Sequence, residues 1–293
     1  QNPAYAAWRI KGAADTPTAF DVLWGALWLD RKPAISGLPL ADRFRGAEVV
    51  AMRSGWDDEN ATFVGFKAGD NRVSHSQLDL GSFVLDAAGR RWAMDLGPDD
   101  YNLPGYFGRN RWNYYRCRAE GQNTLVLNPG KAPDQAPRAK AAITRFESAV
   151  GHSFAIADLS AAYSSAASSV HRGIALNGSD VLVQDEVRAD APLELWWFMH
   201  TEADIVCDGA TAALTLGGKR LTARIVSPPG AAFQAMAAKP LPTSPEVPGQ
   251  QADGKNVRKL AIHLEAVKDV TLAVIFSVEP EVKASAVKPL ADW

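Results

Sequence analysis

Cysteine, net charge and long apolar runs are all scarce in this chain. It has 2 cysteines among 293 residues, and two thiols far apart in the sequence establish neither a disulfide nor a redox compartment. The net charge of -2 and a pI near 6.2 disfavour a nucleic-acid-binding protein, because such a protein needs a basic face to neutralise phosphates. Apolar runs stay well short of the roughly 18 residues that can span a bilayer, so the sequence predicts no membrane span.

The start of the sequence also lacks a recognisable leader. Gln1 and the residues after it have neither the charged start nor the apolar core of a secretory signal peptide. We therefore expect a mature form or, preferably, a fragment of a longer protein. What the chain does have is 47% hydrophobic residues, which is enough for the core of one large β domain or two smaller ones.

Residues 1–40 differ from the rest of the chain and predict a helical segment. Thr16 and Pro17 would provide the N-cap and the first-turn proline of a second helix. About 40 residues are too few to form a core of their own, so we expect this segment to pack against a partner surface. The apolar residues at helical spacing are Tyr5, Trp8, Ile10, Phe20, Leu23, Trp24, Leu27 and Trp28.

Residues 41–293 predict a second unit that is built of strands. Short β-branched and aromatic runs alternate with turn residues, and many strands without helical periods between them favour a mainly β fold, a large antiparallel β-sandwich. The proline-rich stretch 239–256 predicts a mobile connector, with a groove-lining loop as the alternative. The predicted strands are Val49–Arg53, Thr62–Lys67, Ser82–Leu85, Trp92–Leu96, Thr124–Leu127, Ser153–Ala157, Val170–Leu176, Val181–Val187, Leu193–Met199, Ala212–Leu216, Arg220–Val226, Lys259–Leu264 and Thr271–Phe276.

A polar turn around His75 precedes two of these strands. The alternating run 80–85 predicts a strand, and residues 90–96 predict its antiparallel return. His75, with Gln77 and Asp79 behind it, would then lie at the mouth of a hairpin, where a rigid sheet can position chemical groups. A lone histidine is more often structural than catalytic, so the residues by themselves leave both roles open.

Residues 109–128 form a second unusual stretch, crowded with arginine, tyrosine, asparagine and tryptophan. Guanidinium groups bind carboxylates with two hydrogen bonds, and flat side chains stack on sugar rings, so the mixture suits a groove for acidic sugars. An irregular edge with solvated arginines fits the composition equally well. In an extended segment Arg116 and Arg118 would share one face, and the Cys117 thiol between them is expected to be inert. The predicted substrate-binding residues are Tyr101, Trp112, Tyr114, Arg116, Arg118 and Asn123.

Both stretches resemble signatures of the heparinase II/III-like family of polysaccharide lyases. Residues 75–83 are similar to the family pattern His-x-His-x-Asp-x-Gly-Ser-Phe, and residues 116–124 are similar to Arg-x-x-x-Glu-Gly-His-Asn-Thr. One histidine of each pattern is replaced here, by Gln77 and by Gln122. The resemblance extends over roughly residues 45–280.

The resemblance implies the C-terminal β-sandwich of a lyase that cleaves uronate-containing acidic polysaccharides by β-elimination. In that family a helical (α/α) toroid precedes the sandwich, and the segment 1–40 would be its last piece. His75 matches the catalytic histidine of the sandwich, whereas the reactive tyrosine belongs to the toroid, so we expect this chain alone to be inactive. The resemblance also suggests a periplasmic or secreted protein, with a cytoplasmic location as the alternative. The competing hypotheses are a non-catalytic carbohydrate-binding module and a structural β-sandwich.

Many members of the family hold a structural zinc ion. The resemblance places its ligands at Gln77, Asp95 and Gln122. Zinc favours imidazole, thiolate and carboxylate over amide oxygen, so we expect no zinc and no other cofactor. A weaker site for a hard cation, or one that recruits His75 with Asp95, is the alternative.

Overall fold

The computed structural model describes residues 38–252, 254–279 and 286–293. The predicted helices of the segment 1–40 lie outside these ranges. Within them the only helical pieces are short 3-10 turns, and no helix there has the length and apolar character needed to cross a membrane. Cys117 and Cys207 are both free thiols, and burial raises the pKa of each, so neither is an activated thiolate.

Sixteen strands make up the regular structure of the described residues. They are β1 (Ala41–Phe44), β2 (Val49–Arg53), β3 (Phe63–Lys67), β4 (Gly69–Asp70), β5 (Phe83–Ala87), β6 (Arg90–Ala93), β7 (Leu125–Leu127), β8 (Lys140–Ala149), β9 (His152–Asp158), β10 (Ser169–Asn177), β11 (Asp180–Thr201), β12 (Asp204–Asp208), β13 (Thr211–Leu216), β14 (Lys219–Ser227), β15 (Phe233–Ala237) and β16 (Arg258–Ser277).

The strands form two antiparallel sheets, as the predicted sandwich requires. A 5-stranded sheet has the order β1-β2-β3-β5-β6. An 11-stranded sheet has the order β12-β13-β14-β16-β11-β10-β9-β8-β4, with β15 joined to β16 and β7 joined to β11. Alternate side chains of the small sheet, such as Val50, Met52 and Val64, are fully buried and belong to one continuous core with the large sheet. The predicted mainly β fold is therefore confirmed.

The two longest strands, β11 and β16, each run through a stretch where the sequence predicts a break. The predicted strands 181–187 and 193–199 are both parts of β11, which shifts register against β16 between Arg188 and Leu193. Pro192 lies in this irregular stretch, where a missing backbone donor interrupts no regular ladder. Strand β8 was missed because only two of its positions, Ala141 and Ile143, are buried and the rest of the strand is largely polar or charged, which gives a weak apolar pattern.

Candidate functional site

The predicted hairpin at the site is present. Strand β5 pairs with β6 so that Asp86 lies opposite Arg91 and Leu85 opposite Ala93. The turn that carries His75 connects β4 to β5. A hydrogen bond within the turn stabilises it: the Ser76 hydroxyl donates to the carbonyl of Asn71 at 2.6 Å.

The stretch Glu-Gly-Gln-Asn-Thr, residues 120–124, fastens this hairpin to the large sheet. The Asn123 amide nitrogen donates to the carbonyls of Phe83 (2.8 Å) and Met94 (2.9 Å). Its side-chain oxygen accepts the backbone N–H of His200 on β11 at 2.7 Å. The Thr124 hydroxyl donates to the carbonyl of Leu80 at 3.0 Å. Both side chains are buried, so they hold the hairpin in place from the protein interior.

His75 itself is exposed and held in a strained backbone conformation. Its φ is 61°, in the left-handed region that residues other than glycine seldom adopt, although asparagine, aspartate and histidine do so more often than the others. Strain of this kind persists only where the surroundings enforce it, and it is concentrated at functional sites. The imidazole contacts the rings of Tyr101 (5.7 Å between centroids) and Phe107 (5.1 Å).

Phe107 is a site residue that the sequence analysis missed. Its side chain is 55% exposed and that of Tyr101 is 48% exposed, and their rings lie 5.0 Å apart, edge to face. We call His75, Tyr101 and Phe107 the aromatic cluster. A large apolar ring in the polar, glycine-rich stretch Gly105–Arg109 was the available sequence clue.

Arg111 connects the aromatic cluster to the His75 turn. Its guanidinium lies 5.0 Å from the Tyr106 ring centroid and 5.4 Å from that of Phe107. Its Nε donates to the carbonyl of Ser76 at 2.9 Å. The side chain is nearly buried, so this arginine supports the cluster and offers little surface to a ligand.

The extended conformation assumed for the arginine-rich segment is wrong. Residues 111–121 fold into three 3-10 turns, Arg111–Asn113, Tyr115–Cys117 and Ala119–Gly121, so Arg116 and Arg118 do not project together from one strand face. Arg116 stays partly exposed and donates to the carbonyls of Leu96 and Pro98. Of the two arginines, only Arg116 has surface to offer a substrate.

Arg118 is fully buried, which corrects its predicted role as a substrate ligand. Its side chain forms ion pairs with Glu120 (3.1 Å) and with Asp134. Burial raises the pKa of Asp134 to about 7 against the opposing effect of Arg118. Burial also lowers the pKa of nearby Lys259 to about 8. Two positive and two negative groups thus compensate one another inside the protein, as buried charges require.

Tyr114 and Asn123, which the sequence also predicts to bind substrate, are buried as well. Neither side chain therefore offers surface to a substrate. The Tyr114 hydroxyl donates to the carbonyl of Pro104 at 2.8 Å, and the bonds of Asn123 all go to the protein itself. Trp112 is half-buried and packs beside small apolar clusters. Among the predicted binding residues, Tyr101, Arg116 and Trp112 keep accessible surface.

His200 forms a neutral buried pair with Tyr115 behind the site. Since the Asn123 oxygen accepts from His200 Nδ1 (3.1 Å), Nε2 is the acceptor for the Tyr115 hydroxyl at 2.7 Å. Burial, aided by the charge of Lys259, lowers the pKa of His200 well below its usual value. Burial raises the pKa of Tyr115 well above its usual value. Both groups therefore stay uncharged and act as structural supports.

The stretch 239–252, which we call the strap, is bonded to the site along its length, in contrast to the predicted mobile connector. Glu120 accepts the backbone N–H of Leu241 at 3.0 Å. Farther along, Gln251 accepts the backbone N–H of Tyr115 at 2.7 Å. The proline-rich composition was compatible with this outcome, but the anchoring partners lie more than a hundred residues away in the sequence.

The positions at which the resemblance implies zinc ligands are occupied by a pair of amides. Gln122 Nε2 donates to Gln77 Oε1 (3.0 Å) and to the carbonyl of Arg116 (2.7 Å), and Gln77 Nε2 donates to the carbonyl of Gly97 (3.2 Å). The buried Gln122 Oε1 has no hydrogen-bond partner. Asp95 is exposed and accepts the Gly97 N–H at 2.6 Å.

These residues do not fit a zinc ion. They supply one carboxylate and no imidazole, whereas structural zinc sites use four nitrogen, sulfur or carboxylate ligands. In the part of the chain that the structure describes, no group of three or more His, Cys, Asp or Glu residues could hold a metal ion. The amide pair instead joins the His75 turn to the loops that follow β6 and precede β7.

We expect the hydrogen-bonded amides of Gln77 and Gln122 to hold these loops together in place of a metal ion. Prolonged chelation should leave the melting temperature of the protein unchanged, because we expect no bound ion to contribute to the folded state. Gln77→His combined with Gln122→His should create a zinc site with Asp95, measured as near-stoichiometric zinc by elemental analysis and as a zinc-dependent rise in melting temperature. Near-stoichiometric zinc in the unaltered protein would contradict this prediction.

Solved structures with the same fold are β-sandwich parts of polysaccharide lyases. The heparan sulfate lyase HepC from Pedobacter heparinus matches with a TM-score of 0.68 and 17% identity, over 94% of this chain and 42% of that chain. A heparinase III, the BT4657 gene product, gives 0.66 and 15%, over 93% and 40%. The chondroitin AC lyase of Streptomyces coelicolor A3 gives 0.50 and 10%, over 94% and 41%. The chain thus spans about two fifths of their length, and identities this low establish the fold alone.

The family model described as heparinase II/III-like, C-terminal, matches residues 38–269. This range covers most of the chain, so the protein belongs to the heparinase II/III-like C-terminal family. Its β-sandwich has the fold found in the solved polysaccharide lyase structures named above. No curated protein sequence matches the chain.

Proposed function

We propose that this chain is the sandwich part of a lyase that cleaves uronate-containing acidic polysaccharides by β-elimination. The observation that carries the proposal is His75, an exposed imidazole at φ 61° between two exposed aromatic rings. The imidazole is exposed to solvent, so a substrate can reach it. A periplasmic or secreted location belongs to the same proposal.

β-Elimination requires two groups that act together on the uronate. A base removes the proton from C5, the C4–O bond breaks, a C4–C5 double bond forms, and the leaving oxygen takes up a proton. The C5 proton is weakly acidic, so the uronate carboxylate must be neutralised to stabilise the enolate-like transition state. His75 is suited to proton transfer or to carboxylate neutralisation. Arg116 has a partly exposed guanidinium that donates to the carbonyls of Leu96 and Pro98.

The toroid of the lyase family would supply the remaining groups, including the reactive tyrosine. Support for a missing portion comes from coverage, because the chain spans 42% of HepC and 40% of the heparinase III. Positioning of reacting groups provides much of the rate enhancement of an enzyme. The 293-residue chain is therefore expected to be inactive by itself.

The test compares this chain with a longer protein that joins it to a toroid. Both are incubated with a panel of uronate polysaccharides, and the ultraviolet absorbance of the unsaturated uronate is followed. We expect product from the longer protein and none from the chain alone. Product from the isolated chain would contradict the dependence on the toroid, and absence of product from both would contradict the lyase proposal.

The exposed faces of Tyr101 and Phe107 favour a second candidate function, non-catalytic carbohydrate binding. Single exposed apolar residues are common on protein surfaces, whereas contiguous apolar surface often marks a binding site, and the rings of Tyr101 and Phe107 lie against each other. In this alternative the chain binds acidic glycans without turnover, and His75 contributes only as a flat ring. Binding without elimination in the longer protein would support it.

A further inference from the structure

The turn that carries His75 is anchored at its two ends and exposed between them. Asn71 and Ser76 are buried, whereas the residues between them, 72–75, are exposed. The Asn71 side chain donates to the carbonyl of Ala136 at 3.1 Å, and its backbone N–H donates to the carbonyl of Ala139 at 3.0 Å. His75 is the last of the exposed residues, so its position depends directly on how Ser76 is held.

Arg111 holds Ser76 by its carbonyl oxygen. Two nitrogens of the guanidinium, Nε at 2.9 Å and Nη2, donate to this one oxygen. Because the donors of a guanidinium lie in one rigid plane, two of them fix the direction of the carbonyl more narrowly than one would. Ser76 directly follows His75, so the direction of this carbonyl constrains the backbone that carries the imidazole.

The same guanidinium packs against the loop that carries Phe107. It lies 5.0 Å from the ring centroid of Tyr106 and 5.4 Å from that of Phe107. Its Nη1 donates to the carbonyl of Tyr106 at 3.4 Å. The Tyr106 ring in turn stacks on Tyr101, with 5.6 Å between centroids and 29° between the planes. Both rings that contact His75 are therefore connected to Arg111.

Arg111 is only 9% exposed, and a buried cation loses its hydration. An apolar side chain of similar volume would fill the same space at a lower cost in free energy. What arginine supplies instead is a planar set of donors that can bind a carbonyl while its faces stack on aromatic rings. The contacts of Arg111 with Ser76 and with the rings use both properties.

We propose that Arg111 is a positioning residue for His75. By binding the Ser76 carbonyl and packing against the ring of Phe107, it fixes the imidazole against Tyr101 and Phe107 in the orientation that proton transfer requires. The effect on the rate of elimination rests on the proposed function, whereas the orientation of His75 is a property of this chain alone.

The orientation is tested by NMR of the histidine rings in the 293-residue chain. The chain has 5 histidines, and the signals of His75 are those that disappear in His75→Asn. Ring currents of Tyr101 and Phe107 displace these signals from their positions in a free peptide. We expect Arg111→Met to return them most of the way to those positions. Signals that keep their parental positions in a folded Arg111→Met variant would overturn the proposal.

The consequence for the reaction is tested in the longer protein that joins the chain to a toroid. A displacement of about 1 Å at a reacting group can cost on the order of a hundredfold in rate. We expect Arg111→Met to lower kcat by about 10- to 100-fold and to change KM by less than about threefold, because Arg111 holds the turn and offers little surface to the substrate. A higher KM with an unchanged kcat would contradict a positioning role.

Arg111→Lys keeps the charge and the apolar stem but loses the planar fork, so it decides the question if Arg111→Met does not fold. We expect an intermediate result, in which kcat falls by about tenfold and the His75 signals move part of the way. Parental kcat and parental signals in Arg111→Lys would show that the fork does not position His75.

The matched control is Arg53→Met. Arg53 belongs to β2 and also stacks on aromatic rings, 3.9 Å from the centroid of Trp56 and 5.2 Å from that of Phe63. Its replacement removes the same kind of contact but leaves the His75 turn untouched, so the His75 signals and kcat should both stay parental. Equal losses in the Arg53 and Arg111 variants would mean that general destabilisation, and not positioning, lowers the rate.

Failure of this inference and failure of the proposed function give different results. Elimination by the longer protein, together with parental kcat and parental His75 signals in Arg111→Met, contradicts the positioning role alone. Displaced His75 signals in Arg111→Met, without elimination by the longer protein, contradict the lyase proposal and leave the orientation of His75 by Arg111 standing.

Discussion

Replacement of His75 should abolish β-elimination in the longer protein that contains the toroid. We expect His75→Asn to lower kcat by about a hundredfold or more, since general acid–base groups typically contribute 10²–10⁴-fold. Asparagine accepts the positive φ of this position better than most residues, so the turn should persist. The asparagine amide cannot transfer the proton. A loss of activity in a variant that still folds therefore reports the loss of the chemical step. The measurement is the rate of unsaturated product formation.

The matched control for His75 is a second exposed histidine. His152 lies on β9 and hydrogen-bonds Asn177 at 2.5 Å, well away from the hairpin in sequence and topology. His152→Asn should leave kcat unchanged, and both variants should melt within a few degrees of the parent protein. Near-parental turnover by His75→Asn would remove His75 from the reaction.

Asp185→Asn should destabilise the sandwich more than any surface change. Arg172 and Asp185 face each other on β10 and β11 with two hydrogen bonds, Nε to Oδ1 at 2.7 Å and Nη2 to Oδ2 at 2.8 Å. Arg172 also donates to the carbonyls of Gly81 and Asn123, at 2.7 and 2.9 Å. Both side chains are completely buried. Loss of the carboxylate leaves an uncompensated buried charge, and we expect a cost of about 3–5 kcal/mol in the free energy of unfolding.

Two comparisons decide whether burial causes this loss. The pair Arg91–Asp86 has a similar geometry, with a 2.6 Å contact, but its side chains are 55% and 31% exposed. Asp86→Asn should therefore cost less than about 1 kcal/mol. Replacing both Arg172 and Asp185 by leucine or methionine should be less harmful than the single change. Equal losses for Asp185→Asn and Asp86→Asn in chemical denaturation would contradict the argument.

The hairpin at the site could be predicted because its determinants are local. Alternating apolar residues define the face of β5 that enters the core, and Ala88 and Gly89 adopt the positive φ values of the turn to β6. The exposed turn with His75 follows from a run of polar residues. Alternation of apolar and polar residues in each strand, together with a tight turn between the strands, is enough to specify a β-hairpin.

The roles of the arginines could not be predicted from their neighbours. Arg118 is buried because Asp134 accepts its hydrogen bond and both Asp134 and Glu120 form ion pairs with it. Arg116 keeps some exposure, although it lies only two residues away. A guanidinium can be solvated or paired inside the protein, and the sequence near it is compatible with both states. Partners that arrive from distant segments decide between them.

The sequence alone determined that this protein is mainly β, that His75 lies in a polar turn before a hairpin, and that Gln77 and Gln122 cannot act as imidazole ligands. These properties depend on side-chain identity and on periodicity along the chain. The tertiary structure alone decided that Phe107 joins His75, that Tyr114, Arg118 and Asn123 are buried, and that the strap is hydrogen-bonded to Glu120 and Tyr115. These properties depend on long-range contacts, in which segments far apart in the chain exclude water from one another and satisfy one another's polar groups.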